Sequence, residues 1–190
     1  MDAERDAVDG SFAVSDAIER EARRLGTNLR RMQGLDEDGS PQPANGITID
    51  VAHDRSVAAL DALSQIEPGA YVVFISEQGF DGDDDQLSVL RTADPFDAVR
   101  AMGTNGANFD ITNAMVIERL TLWRERYGLT VVGAGFDWLW VQFARAAPDW
   151  TAFADEVYEF CPDAVDQGVG TVEALAEGLR DTRTVYLWWD

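Results

Sequence analysis

The segment DGDDD (81–85) sets Asp81, Asp83 and Asp85 at alternate positions, the first three acidic spacings of a calcium-binding loop. The pattern then departs: Gln86 stands where such a loop turns on glycine, and Thr92 where it needs a bidentate glutamate. The stretch therefore reads as a solvated acidic turn with weak affinity for Ca²⁺ or Mg²⁺ at most. His53, followed by Asp54 and Ser56, joins base, acid and hydroxyl, but a triad is a matter of geometry that chain neighbours rarely achieve. In GTNGANFDIT (103–112), Asn105-Gly106 signals a tight turn, and Asn108, Asp110 and Thr112 can satisfy backbone amides before a helix. A loop with that side-chain chemistry suits helix capping or a ligand. Three further carboxylates, Asp137, Asp163 and Asp190, lie in FDW (136–138), FCPDAVDQG (160–168) and the closing WWD. If folding gathers them with Asn105 and Asn108, they suit a divalent-metal-assisted hydrolase or a small-ligand site. Cys161 falls at a helix end, where the negative dipole disfavours a thiolate.

Those residues sit in a chain of 190 residues with 35 acidic against 15 basic residues, net charge -20, and every basic residue is arginine. Without lysine there is no Schiff base, pyridoxal-phosphate lysine or Walker-type phosphate lysine. So negative a field opposes nucleic acid and anionic lipid and favours basic partners or cations. One cysteine and one histidine exclude an intramolecular disulfide and a Cys/His zinc site within one chain. No apolar run approaches a membrane span, and MDAERDAVDG lacks the regions of a signal peptide, so the expected compartment is the cytoplasm.

The elements that must position these groups read as α+β: a mixed sheet flanked by helices, with an N-terminal amphipathic helix. Val14, Ile18, Ala22, Leu25, Leu29 and Met32 recur at helical steps, predicting one arginine-rich helix over 11–33 that could pack on its own domain or self-associate. GLDEDGSPQPANG (34–46) has linker composition, dividing an N-terminal region, 1–46, from a single domain, 47–190. Strands are expected at 47–52, 70–76, 86–92, 129–134, 138–146 and 184–189. Helices are expected after Asp54, at 94–102, at 113–127 between a Thr112 cap and Gly128, at 149–160 and at 171–180. The β-α-β-β order of 47–92 matches half of a ferredoxin-like layer. In TVYLWW, Tyr186 and Trp188 alternate with Leu187 and Trp189, which suggests an interior strand covered on both faces.

TNGANFDIT, GAGFDW and the long block FADEVYEFCPDAVDQGVGTVEALAEGLRDTRTVYLWWD together resemble the bacterial domain of unknown function 4253, over about residues 86–190. The resemblance implies a fold unit and no established activity. It singles out Asn105, Gly106, Asn108, Asp137, Trp138, Cys161, Pro162, Asp163, Gln167, Trp188, Trp189 and Asp190 as positions of interest. The first functional expectation is a non-enzymatic module that binds a basic protein partner, of the inhibitor or immunity kind by analogy with other small bacterial domains. The alternative is the metal-assisted hydrolase or small-ligand site. No cofactor is expected, a divalent cation apart.

Overall fold

The computed structural model describes residues 13–189, so Asp190 and the first twelve residues lie outside the described part. Helix α1 (Asp16–Leu25) starts where the Ser15 side chain accepts from the Ile18 amide, and it buries Ile18 and Ala22. The predicted helix over 11–33 stops there. At Gly26 the chain passes so close to strand β2 (Pro41–Ala52) that a Cβ would lie 2.5 Å from the Asp50 carbonyl oxygen. Thr27–Leu35 then runs as strand β1, antiparallel to β2. Leu29 and Met32, which continued the helical spacing, pack in two different cores, one on each side of the sheet. The expected linker is also corrected: residues 34–46 form the end of β1, the turn and the first half of β2 in the β1–β2 hairpin, and β2 runs through position 46 without a break.

After a 3₁₀ turn at His53–Arg55, helix α2 (Ser56–Ser64) crosses to strand β3 (Val72–Glu77), and strand β4 (Asp84–Leu90) returns. β4 lies between β2 and β3, antiparallel to both, which is the split β-α-β arrangement expected for this half. Helices α3 (Asp97–Ala101) and α4 (Asn113–Tyr127) follow, the latter capped by Thr112 and ended by Gly128 at φ 64° as predicted. Strands β5 (Leu129–Ala134) and β6 (Trp138–Phe143) form a hairpin. Helices α5 (Trp150–Phe160) and α6 (Val172–Thr182), linked through a π-helical turn at Ala164–Val169, lead to strand β7 (Thr184–Trp188). The seven strands make one mixed sheet, β1-β2-β4-β3-β5-β6-β7, with β3 parallel to β5.

Each face of the sheet has its own core. On one face α1 and α2 cover Ile47, Ile49 and Val51 of β2, Val73 and Ile75 of β3, and Leu87 and Val89 of β4. On the other, α3 to α6 cover Val131, Leu139, Val141, Phe143, Val185 and Leu187. Trp123 is fully buried here among the rings of Phe143, Phe153 and Phe160, each edge-on to it.

Strand β7 is an edge strand, not the interior one its apolar alternation suggested. The alternation itself holds: Val185, Leu187 and Trp189 are buried, while Tyr186 and Trp188 are half-buried on the opposite side, Tyr186 stacked on Trp138 at 5.6 Å. The outer edge is anchored by other means. The Cys161 thiol donates to the Trp188 carbonyl at 3.0 Å, and the Trp189 indole N–H reaches the Phe160 carbonyl at 3.3 Å. Gly106 supplies the floor for that indole, since a Cβ there would stand 2.7 Å from it. Trp189→Ala is expected to cost about 3–5 kcal/mol and Gly106→Ala a smaller amount, both read as a lower urea midpoint with an unchanged slope.

Candidate functional site

Half of the sheet is polar where a helix-covered sheet would be apolar. On the face of β2, β4 and β3 away from α1 and α2, Phe74 and Leu90 join the second core, but Thr48, Asp50, Gln86, Ser88 and Ser76 make a polar patch. Ser88 is fully buried and links Thr48 and Ser76, its hydroxyl 2.8 Å from each of theirs, and Ser76 also donates to the Gln86 carbonyl at 3.3 Å. Such hydroxyls are tolerated in a buried floor because each has a partner.

Above this floor lies a pocket of about 520 Å³. Thr48, Ser76 and Gln86 line its base, Arg30, Arg31 and Gln33 of β1 one side, and Glu77 with the β5–β6 turn, Gly135 to Trp138, the other; Leu35, Met102 and Phe136 add apolar surface. Arg30 is fixed through Nη1, which donates to Asp50 at 2.8 Å and to the Asn28 carbonyl at 2.9 Å. Glu77 accepts a hydrogen bond from the Gln86 side-chain amide.

The turn that forms the far wall is held by its backbone. The carbonyls of Gly135, Phe136 and Asp137 accept in succession from the Thr104 hydroxyl at 2.6 Å, the Asn105 amide at 2.8 Å and the Trp189 amide at 2.9 Å. Asn105 spends its whole side chain nearby: its amide donates to the carbonyls of Gly103 and Glu37, and its oxygen accepts from the Ala107 amide. Gly103, at φ 57°, lets the β1–β2 turn approach, for a Cβ there would sit 2.3 Å from the Asp36 carbonyl oxygen.

The residues singled out in the sequence therefore divide. Asp137 and Trp138 line the pocket, while Asn105 and Gly106 build its wall and the seat of Trp189. Asn108 is exposed on a 3₁₀ turn beside a smaller depression of about 270 Å³ that Asn105 borders. Asp163 is buried next to Cys161, and Gln167 is exposed on the π-helical turn near Trp188; neither lines the pocket with Asp137. Burial, with the nearby Asp163 charge, pushes the Cys161 thiol up to about 11.

The acidic turn is split as well. Asp81 and Asp83 are exposed, whereas Asp85 is buried in β4, and no group of three His, Cys, Asp or Glu among the described residues could hold a metal ion. Asp85 takes the His53 Nδ1 at 2.9 Å and the Gly79 amide at 2.8 Å on one oxygen, so the partner of His53 is this distant carboxylate and not Asp54. Burial alone would raise Asp85, but the hydrogen bonds from His53 and Gly79 outweigh it and hold the carboxyl below its usual range. The hydrogen bond to Asp85, then its charge, raises the exposed His53 imidazole.

Sequence reasoning missed Arg30, Arg31, Gln33, Thr48, Ser76, Glu77 and Gln86. The available signal was the polar alternation in ITIDVA and QLSVL, which marks one sheet face as wet.

The model of the family described as Domain of unknown function (DUF4253) matches residues 86–190. The chain belongs to this family. No curated protein and no solved structure matches it. The three motifs that carried the resemblance, around Asn105, Asp137 and Trp189, are the ones that meet at the β5–β6 turn. The family segment thus supplies one wall of the pocket and Gln86, while the preceding residues supply the arginines, Thr48, Ser76 and Glu77.

The His53–Asp85 pair gives a signed pH dependence. A raised histidine stabilises fully below its unfolded value and loses that contribution as pH rises through the folded one; a lowered aspartate stabilises above its unfolded value and loses it as pH falls. The loss of stability on His53→Ala should therefore be greatest near about pH 5.5 and shrink toward about pH 8.5, as measured by urea midpoints across that range.

Proposed function

We propose that this domain binds a small polar molecule in the pocket over β1, β2, β4 and β3. The observation that carries the reading is the hydroxyl-and-amide floor, Thr48, Ser76 and Gln86, which occupies a sheet face that folding alone would fill with aliphatic side chains. The walls add the Arg30 guanidinium, held by Asp50, the acidic residues Glu77 and Asp137, and a turn whose successive carbonyls are already satisfied from behind. A site held in this way is preorganised for hydrogen-bonded recognition. Its hydroxyls, Thr48 and Ser76, are engaged with Ser88 and the lining places no histidine base beside them, which supports binding over nucleophilic catalysis by a hydroxyl. This reading is preferred to the basic-partner one because the pocket is a built feature, while net charge describes the whole chain.

The test is a thermal-shift screen of amino acids, short peptides, dicarboxylates, sugars and nucleosides, with each hit mapped by amide chemical shifts. Hits should raise the melting temperature by about 5–10 °C at about a hundredfold excess over Kd. They should perturb the amides of Thr48, Gln86 and Asp137 and lose effect on Thr48→Phe. Hits that perturb only another surface, or a screen without hits, would overturn the reading.

A further inference from the structure

The charges that line the pocket do not cancel. Arg30 is neutralised within the protein by the Asp50 carboxylate at 2.8 Å. Arg31 pairs in register with Ile47, a residue of the face that α1 and α2 cover, so its side chain starts from that side. Glu77 and Asp137 have no cation among the described residues: Glu77 accepts from the neutral Gln86 amide, and neither residue enters an ion pair. A β-bulge brings Glu77 to the site. The register of β3 on β4 slips between Ile75 and Glu77, so Glu77 pairs directly with Gln86 and shares its face. Asp137 stands between Phe136 and Trp138 in the far wall. Burial first, and the Asp137 charge second, push the Tyr186 hydroxyl up to about 12, which sets this carboxylate near the ring that stacks on Trp138.

The floor adds acceptors. Thr48, Ser88 and Ser76 form a chain of hydroxyls that ends on the Gln86 carbonyl. Each hydroxyl has one proton to give. Ser76 gives its proton to that carbonyl, so Ser88 donates to Ser76 and Thr48 donates to Ser88. This direction leaves Thr48, only 4% exposed, with lone pairs and no proton for the pocket it lines. A nearly buried oxygen that can only accept, beside two acidic residues without a cation, suits a ligand with N–H donors and positive charge.

Resting on the reading of this pocket as a ligand site, we infer that its ligand class is a small organic cation, a protonated amine on a hydroxyl- or amide-bearing body. The ammonium lies against Asp137 and Glu77, beside the Phe136 and Trp138 side chains, and the polar body lies over Thr48, Ser76 and Gln86. A bare metal ion fits less well. No group of three His, Cys, Asp or Glu among the described residues could hold one, and about 520 Å³ is room for a drug-sized ligand. The net charge of -20 favours the approach of any cation, and the pocket supplies the selection.

The experiment is isothermal titration of the full chain at about pH 6.5, where an α-amino group is protonated, and about 0.15 M salt, where exposed charges are screened beyond ~8 Å. The probes are two matched pairs: glucosamine with N-acetylglucosamine, and alanylalanine amide with its N-acetyl form. Acetylation removes the charge and keeps the body. The amine of each pair should bind about tenfold or more tightly, as for a gained charge-assisted hydrogen bond, and should perturb the amides of Thr48, Gln86 and Asp137. Glu77→Gln with Asp137→Asn should erase the preference. Asp81→Asn with Asp83→Asn, the same change of charge on the exposed acidic turn, should leave it intact. Circular dichroism confirms folding of each variant. Equal loss in both double variants would assign the preference to the field of the whole chain and overturn the inference. So would equal binding within each pair, or no binding of these four probes while another compound still perturbs Thr48, Gln86 and Asp137; both results leave the pocket as a ligand site. Failure of every compound would overturn both readings.

Discussion

Three adjacent carbonyls, those of Gly135, Phe136 and Asp137, hold this structure together at the point where its parts meet. They lie in the tight turn between β5 and β6, outside the ladder of that hairpin, and backbone carbonyls left out of a ladder need donors. The donors come from three places in the chain: Thr104, Asn105 and the amide of Trp189. Satisfying them draws the loop after α3 and the end of β7 onto one turn. The β1–β2 turn then joins through the carbonyl of Glu37 and through Gly39, which packs on the Phe136 ring.

Close packing makes this junction exacting. Gly106 lies under the Trp189 indole, Gly103 against the Asp36 carbonyl, and Gly135 against the Trp138 ring, where a Cβ would fall 2.0 Å from the indole nitrogen. Each glycine is a place where two segments approach to backbone distance, and a methyl group would separate them. The same junction serves the pocket. A turn fastened from behind presents a rigid wall toward Thr48, Ser76 and Gln86, so the family segment fixes the wall while the residues before it decide which charges line the opposite side.

The two faces of the sheet illustrate a division of labour. Helices α1 and α2 bury one face of β2, β4 and β3, and that apolar layer anchors the strands firmly enough for their other face to remain polar. Beyond β3, the cover passes to α4, α5 and α6 on the opposite face, where the Trp123 cluster provides the larger core. The pocket lies on the uncovered half of that second face, beside the helical layer rather than within it.

The sequence by itself determined the α+β class, the split β-α-β unit, α4 with both of its caps, and the alternation of TVYLWW, because each depends on local periodicity or on a side chain reaching its neighbours' amides. It also marked Asn105, Gly106, Asp137 and Trp189 through their motifs, though not what they do. Tertiary structure decided the rest. Leu29 and Met32 keep a helical spacing but belong to a strand, since Gly26 must pass against β2 and the partner strand outweighs the local pattern. Strand β7 is an edge because the sheet ends there, and its apolar residues are covered by a thiol, a helix end and an indole drawn from elsewhere. The pairing of His53 with Asp85, and the meeting of Arg30 with Glu77 and Asp137 across one pocket, join residues that only the strand order brings together.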